Sequence, residues 1–285
     1  MDLLVTALGY LFAASDLLVL YAAYWITSTL VRQRAADEHF SADLISDIAF
    51  WVALGAIVGG RLVYVAPYWP LYVRYPIDIL RIQTGLSFHG ALVGGFTVLF
   101  WLARSRQFSF ARASDLIAPF LLMGIAVQRL GCLVRGDCFG AVAPEFLGAI
   151  LPGPGLPRYP AELFEIMLVL GVAAVLLRWR SAPHRPGDLG FALLVAYPLI
   201  RAGVDLVHIN LSGWPSPEQV ASLVVSFFAA VAWYRARVSG RGAGLVTNRW
   251  AVFSPNRERE SHGPTRMDGG TGRSVRKGAD HAEVP

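Results

Sequence analysis

Seven apolar stretches, near residues 13–31, 44–66, 87–103, 113–133, 160–177, 188–208 and 217–234, govern what this chain can fold into. Each is close to the roughly 20 residues that a helix needs to cross the hydrocarbon core of a bilayer. The expected fold is therefore all-α: a polytopic membrane protein of about seven transmembrane helices. Composition agrees. Of the 285 residues, 55% are hydrophobic and 16% are charged, where a soluble domain carries about 25% charged residues. A disordered chain is excluded, and a soluble enzyme fits poorly. Residues 3–13 are also apolar, and Asp16 interrupts them. They read either as a short interfacial helix or as the start of one long first span. A cleavable signal peptide fits less well, because the basic leading region is missing.

The net charge of +5 is unevenly placed. Residues 236–285 hold nine basic and five acidic groups, and the rest of the chain holds 16 and 15. The folded part thus has no basic excess to offer a nucleic acid. After Arg237 the sequence turns to Gly, Ser, Arg and Pro. We divide the chain into a membrane domain, 1–237, and a disordered cytoplasmic tail, 238–285. Cys132 and Cys138 are too few for a disulfide framework, and no Cys/His cluster has zinc spacing.

Arginines set the orientation. Arg32, Arg34, Arg104, Arg106, Arg112, Arg178, Arg180, Arg185, Arg235 and Arg237 fall in connections on one side. The opposite connections hold Arg74, Arg81, Arg135 and Arg158. This places the N-terminus outside and the C-terminus in the cytoplasm, in agreement with seven crossings. The outer connection 67–86 carries Tyr68, Trp69, Tyr72 and Tyr75, an aromatic belt at headgroup level. The connection 134–159 is the longest and is rich in Gly and Pro (Pro152, Gly153, Pro154, Gly155).

Ionisable residues inside hydrocarbon are costly and mark function or a buried partner. Here they are Asp47, Arg61, His89, Asp115, Arg129, Glu162, Glu165, Arg201 and Asp205. Asp47, Asp115 and Glu162 lie near span ends and read as structural. Arg129 lies roughly 24 Å up a span entering from the cytoplasm, and Arg201 roughly 20 Å. Tyr64 and His89 lie at outer span ends, so all four fall in the outer half of the membrane. Tyr197, Arg201, Asp205 and His208 share one helical face, where Arg201 and Asp205 can pair. Arg129 has no acidic residue within four positions on its own helix. Its expected partner is a bound anion, with Asp137 as the rival. Glycines 85, 90, 94 and 95 surround His89, and Gly131, Gly136 and Gly140 follow Arg129. Close helix packing explains Gly94 and Gly95, and a backbone turn beside Arg129 explains Gly136 and Gly140. An arginine fork matches a phosphate, and at this depth the phosphate belongs to a phospholipid. Two classes remain: a phospholipid-using transferase, or a transporter or scaffold with a structural ion-pair core.

From Asp43 to Tyr234 the chain resembles the bacterial prolipoprotein diacylglyceryl transferases. The segments Gly60-Arg61-Leu62-Val63-Tyr64 and Gly85-Leu86-Ser87-Phe88-His89-Gly90 are similar to two of that family's motifs. Arg129 to Gly140, with Asp137 near its end, resembles the family signature. Tyr159-Pro160-Ala161-Glu162-Leu163-Phe164-Glu165, Tyr197-Pro198-Leu199-Ile200-Arg201 with Asp205, and Gln219 with Ser222 complete six motifs in order. The resemblance implies transfer of a diacylglyceryl group from phosphatidylglycerol to the lipobox cysteine thiol of a prolipoprotein. Glycerol phosphate leaves, no metal or cofactor takes part, and the site lies in the bacterial inner membrane. It implies His89 as base or thiol-orienting group, with Arg129 and Arg201 on the departing phosphate. Arg61, Tyr64, Asp137, Gly140, Glu165 and Asp205 are implied as further substrate-binding residues. Departures include Gln128, Arg135, Asp137, Tyr159 and His208, and Leu17 at the place of a first-span tyrosine. They leave open a divergent member with another acceptor or without catalysis.

Overall fold

The structure is a computed structural model that describes residues 2–82, 85–135, 140–144, 157–208 and 215–239. Asp137, the Gly/Pro run at 152–155, the side chain of His208 and the expected tail beyond Ser239 lie outside the described residues. The long helices are α1 (Asp2–Gln33), α2 (Ala42–Val65), α4 (Phe88–Ser105), α5 (Phe110–Arg135), α6 (Ala161–Arg180), α7 (Asp188–His208) and α8 (Pro217–Val238). The short α3 (Trp69–Arg74) sits in the connection between α2 and α4. Among the described residues, β structure is confined to a single antiparallel bridge between Val142 and Arg158.

These helices cover all seven expected spans. Residues 3–13 belong to the same continuous helix as the first span, which decides for one long helix over a separate interfacial one. By length and apolarity, four segments are fit to cross a membrane: Ala42–Arg74, Phe110–Val134, Asp188–Val207 and Pro217–Val238. That supports a membrane-embedded all-α protein but not the count of seven. α6 carries Glu162, Glu165, Arg178 and Arg180, and α4 has only 18 residues.

Local chemistry starts the helices. Ser41 accepts from the Leu44 amide at the head of α2, and Ser87 from the Gly90 amide at the head of α4. Ser216 and Gln219 form a reciprocal capping box on α8. Such caps satisfy amides that the first helical turn leaves without partners. Asp115, read from sequence as structural, caps α7 from α5. It accepts from the amides of Gly187 at 2.6 Å and Gly190 at 2.9 Å.

Two apolar clusters hold the bundle. One joins α1, α2, α4 and α5 through Val31, Ile45, Ile48, Leu99, Leu116 and Phe120. The other joins α5, α6 and α7 through Leu122, Val169, Leu176, Leu189, Leu193 and Tyr197. Trp25, Phe50, Val58, Val93, Trp101, Val175, Phe227 and Phe228 face outward, as lipid-facing positions should.

The tightest contact is between α2 and α4. A Cβ on Gly59 would strike the Gly90 carbonyl, one on Gly90 the Gly59 carbonyl, and one on Gly94 the Gly55 carbonyl. The two backbones therefore touch through paired small residues four apart. This contact fixes the level of His89, next to Gly90, against Arg61, next to Gly60. The Ser87 amide then donates to the Gly60 carbonyl at 2.9 Å.

Candidate active site

Three of the long helices meet at Glu165, which is fully buried on α6. One carboxylate oxygen accepts from the Tyr197 hydroxyl at 3.0 Å, and the same oxygen lies 3.0 Å from Nε of Arg129. The other oxygen accepts from Nη1 of Arg201 at 3.0 Å. Arg201 turns its second terminal nitrogen to Asp205 at 2.6 Å, one turn along α7. The Arg129 contact is an ion pair without hydrogen-bond alignment at Nε. Two arginines thus converge on one carboxylate from α5 and α7.

This corrects the sequence expectation for Arg129. Its partner is neither an ion on its own helix nor a ligand by necessity, because Glu165 from α6 supplies the negative charge. The expected pairing of Arg201 with Asp205 is present. Within the quartet Arg129, Arg201, Glu165 and Asp205 the formal charges cancel. Glu162, one turn before Glu165, is also buried. Arg129 and Arg201 keep 17% and 16% of their side-chain surface accessible, so neither side chain is sealed off.

His89 joins this cluster through aromatic contacts. The Phe88 ring stands edge-on to Tyr197, with centroids 4.7 Å apart, and to the His89 ring at 5.3 Å. His89 Nε2 lies 3.1 Å from the hydroxyl of Ser222 on α8, and Ser222 is fully buried. The sequence comparison matched Ser222 to a motif without giving it a role. Only the packing of α8 against the bundle reveals its contact with His89.

Arg61 and Tyr64 are placed differently. Arg61 is 5% exposed and donates from Nε to the Ile79 carbonyl, from Nη1 to the Gly85 carbonyl, and from Nη2 to the Asp78 carbonyl and the Tyr72 hydroxyl. Its guanidinium lies against the rings of Tyr64 and Tyr72. Tyr64 fills the space a side chain at Gly85 would need, and Gly85 holds a φ of +144°, open to glycine alone at little cost. These residues clasp the aromatic connection between α2 and α4.

Gly140 lies against the start of α6. Its amide donates to the Tyr159 carbonyl at 3.1 Å, and the neighbouring Ala141 amide donates to the Val207 carbonyl at 2.8 Å near the end of α7. A Cβ there would lie 2.7 Å from the Tyr159 carbonyl, so close approach explains this glycine. Of the expected site residues, Arg129, Arg201, Glu165 and Asp205 meet directly, and His89 joins them through Phe88 and Tyr197. Arg61 and Tyr64 form a second group, and Asp137 is outside the described residues.

The family model for prolipoprotein diacylglyceryl transferase matches residues 10–235. Among curated relatives, a phosphatidylglycerol–prolipoprotein diacylglyceryl transferase of Bordetella parapertussis is 31% identical over 224 residues, 76% of this chain and 83% of that protein. The enzyme of that name from Bordetella avium is 36% identical over 196 residues, covering 67% and 74%. That from Pseudoalteromonas atlantica is 34% identical over 189 residues, covering 65% and 66%.

Proposed function

Since the chain belongs to the prolipoprotein diacylglyceryl transferase family, we propose that it moves a diacylglyceryl group from phosphatidylglycerol to the lipobox cysteine thiol of a prolipoprotein. The sulfur forms a bond to the glyceryl carbon that carried the phosphate. The carbon–oxygen bond breaks, and its electron pair leaves with glycerol phosphate. Negative charge builds on the departing phosphate oxygen as that bond breaks. Stabilisation of that new charge is worth most in a site shielded from water.

The observation that carries this reading is the convergence of Arg129 and Arg201 on Glu165. Held by one buried carboxylate, the two forks are set side by side before any ligand arrives. Glu165 and Asp205 serve as their holders, and the accessible fraction of each arginine meets the phosphate. His89, joined to the cluster through Phe88, serves the thiol, either taking its proton or orienting it. Arg61 and Tyr64 shape the outer connection at the entrance.

The protein is embedded in the membrane, and we read its N-terminus as outside. Arginine placement supports this. The test of function is direct. Purified protein is given phosphatidylglycerol and a lipobox peptide, and the peptide's mass is measured. A gain equal to the diacylglyceryl group is expected. No covalent product from well-folded protein would overturn the reading in favour of a transporter or scaffold.

A further inference from the structure

α8 presents a seam of polar side chains to the bundle: Gln219, Ser222, Ser226 and Trp233. Their spacings of three, four and seven residues align them on one helical face. Three of the four engage α7. Gln219 donates to the Ala202 carbonyl at 3.4 Å, Ser226 to the Val195 carbonyl at 3.0 Å, and Trp233 to Asp188 at 2.7 Å. Ser222 departs from the pattern, because its hydroxyl reaches His89 on α4.

A helical serine or threonine often gives its proton to the carbonyl one turn back, as Ser46 and Thr97 do here. Ser222 does not. Among the described residues its single hydrogen-bond partner is Nε2 of His89. A fully buried hydroxyl that withheld its proton would forfeit a hydrogen bond. The proton therefore goes to the one acceptor present, Nε2, and a neutral imidazole that accepts there carries its own proton on Nδ1. The charged groups facing the ring, Arg201 and Asp205 on α7 and Glu218 on α8, make no hydrogen bond to it among the described residues. Nδ1 likewise has no protein partner there, and the ring is half-buried.

We propose that Ser222 is a positioning residue that, by donating to Nε2, holds neutral His89 as the Nδ1–H tautomer and presents that nitrogen to the substrate. The inference rests on the reading of His89 as the group that serves the thiol, and it decides between the two roles left open above. A ring with its proton on Nδ1 offers the sulfur a donor, so His89 orients the thiol and does not take its proton. That proton passes to the oxygen of the departing phosphate, which becomes more basic as the carbon–oxygen bond breaks.

The test uses the full chain in lipid nanodiscs containing phosphatidylglycerol, with ring-15N-labelled histidine. Solid-state 15N spectra are recorded at alkaline pH, and the His89 signals are assigned by their loss in His89→Gln. A protonated Nδ1 and an unprotonated Nε2 are expected. Ser222→Ala should move His89 toward the Nε2–H form and lower transfer to a lipobox peptide about tenfold. Ser226→Ala removes a neighbouring bond of the seam without touching His89, and it should leave the tautomer unchanged. An Nε2–H ring in the unaltered protein, or a tautomer indifferent to Ser222→Ala, would overturn the proposal. The tautomer is read without turnover. A chain that shows this pattern yet transfers nothing would sustain the Ser222 contact and count against the transferase reading instead.

Discussion

Removal of Glu165 should harm folding more than removal of either arginine it holds. Glu165 is fully buried and has three partners at 3.0 Å: Tyr197, Arg129 and Arg201. With Glu165→Ala, the two guanidinium groups lose the carboxylate they share, and the quartet carries a net positive charge away from water. Loss of one member of a buried pair costs about 3–5 kcal/mol, a large part of a total stability of about 5–15 kcal/mol. Arg129→Ala is milder, because Glu165 keeps its bonds from Arg201 and Tyr197. We expect about 1–2 kcal/mol, toward the low end for a buried group that loses one of several partners. Glu165→Gln keeps the shape and loses the charge, so it should fall between them at about 2–3 kcal/mol. Unfolding titrated with sodium dodecyl sulfate in mixed micelles would rank the three variants. Activity should rank differently, since Arg129→Ala abolishes transfer in a protein that still folds. If Glu165→Ala proved as stable as the unaltered chain, or less harmful than Arg129→Ala, the reasoning built on the shared carboxylate would be refuted.

Three further outcomes are expected. Arg129→Lys keeps the charge but loses the planar fork, and it should lower transfer by roughly 100-fold; a fully active lysine variant would remove the phosphate assignment. Gly59→Ala places a methyl against the Gly90 carbonyl and 2.9 Å from Gly94 Cα; it should destabilise by about 1–3 kcal/mol and weaken transfer by shifting His89, and unchanged unfolding would show that α2 and α4 can part freely. A reporter fused after Tyr234 should be active only in its cytoplasmic form, and periplasmic activity at that point would reverse the orientation.

Periodicity and local spacing made some features legible in advance. Apolar length placed six of the long helices within a few residues, whereas α1 begins at Asp2, eleven residues before the expected first span. The Arg201–Asp205 pair was visible because residues four apart on a helix must be neighbours. Asp115 near a span end was rightly read as structural, although its target, the head of α7, was not visible. The Arg129–Glu165 pair was hidden for a physical reason. It joins α5 to α6, and only packing decides which faces of two helices meet. The same holds for Ser222 and His89, 133 residues apart. Arg61 was grouped with the substrate residues through the Gly60–Tyr64 segment, which resembles a family motif. Its donor contacts to the outer connection become apparent only once that connection folds back over it. The number of true crossings stayed open because charges in α6 and the shortness of α4 weaken the signal that length alone suggests.

The way the quartet's charges are divided among helices also bears on how the chain enters the bilayer during synthesis. α7 carries Arg201 and Asp205 four residues apart, so its charges are matched within one segment before any neighbour arrives. α5 and α6 lack that independence. Arg129 on one is matched by Glu165 on the other, and an unmatched charge within an isolated helix opposes insertion, by up to about 2.5–3.5 kcal/mol at its centre. The two helices are consecutive, so they can leave the insertion machinery together with Arg129 and Glu165 already paired. Arg129 then waits beside the aqueous channel until Glu165 has been translated, and a long insertion between α5 and α6 would lengthen that wait and expose the chain to misplacement.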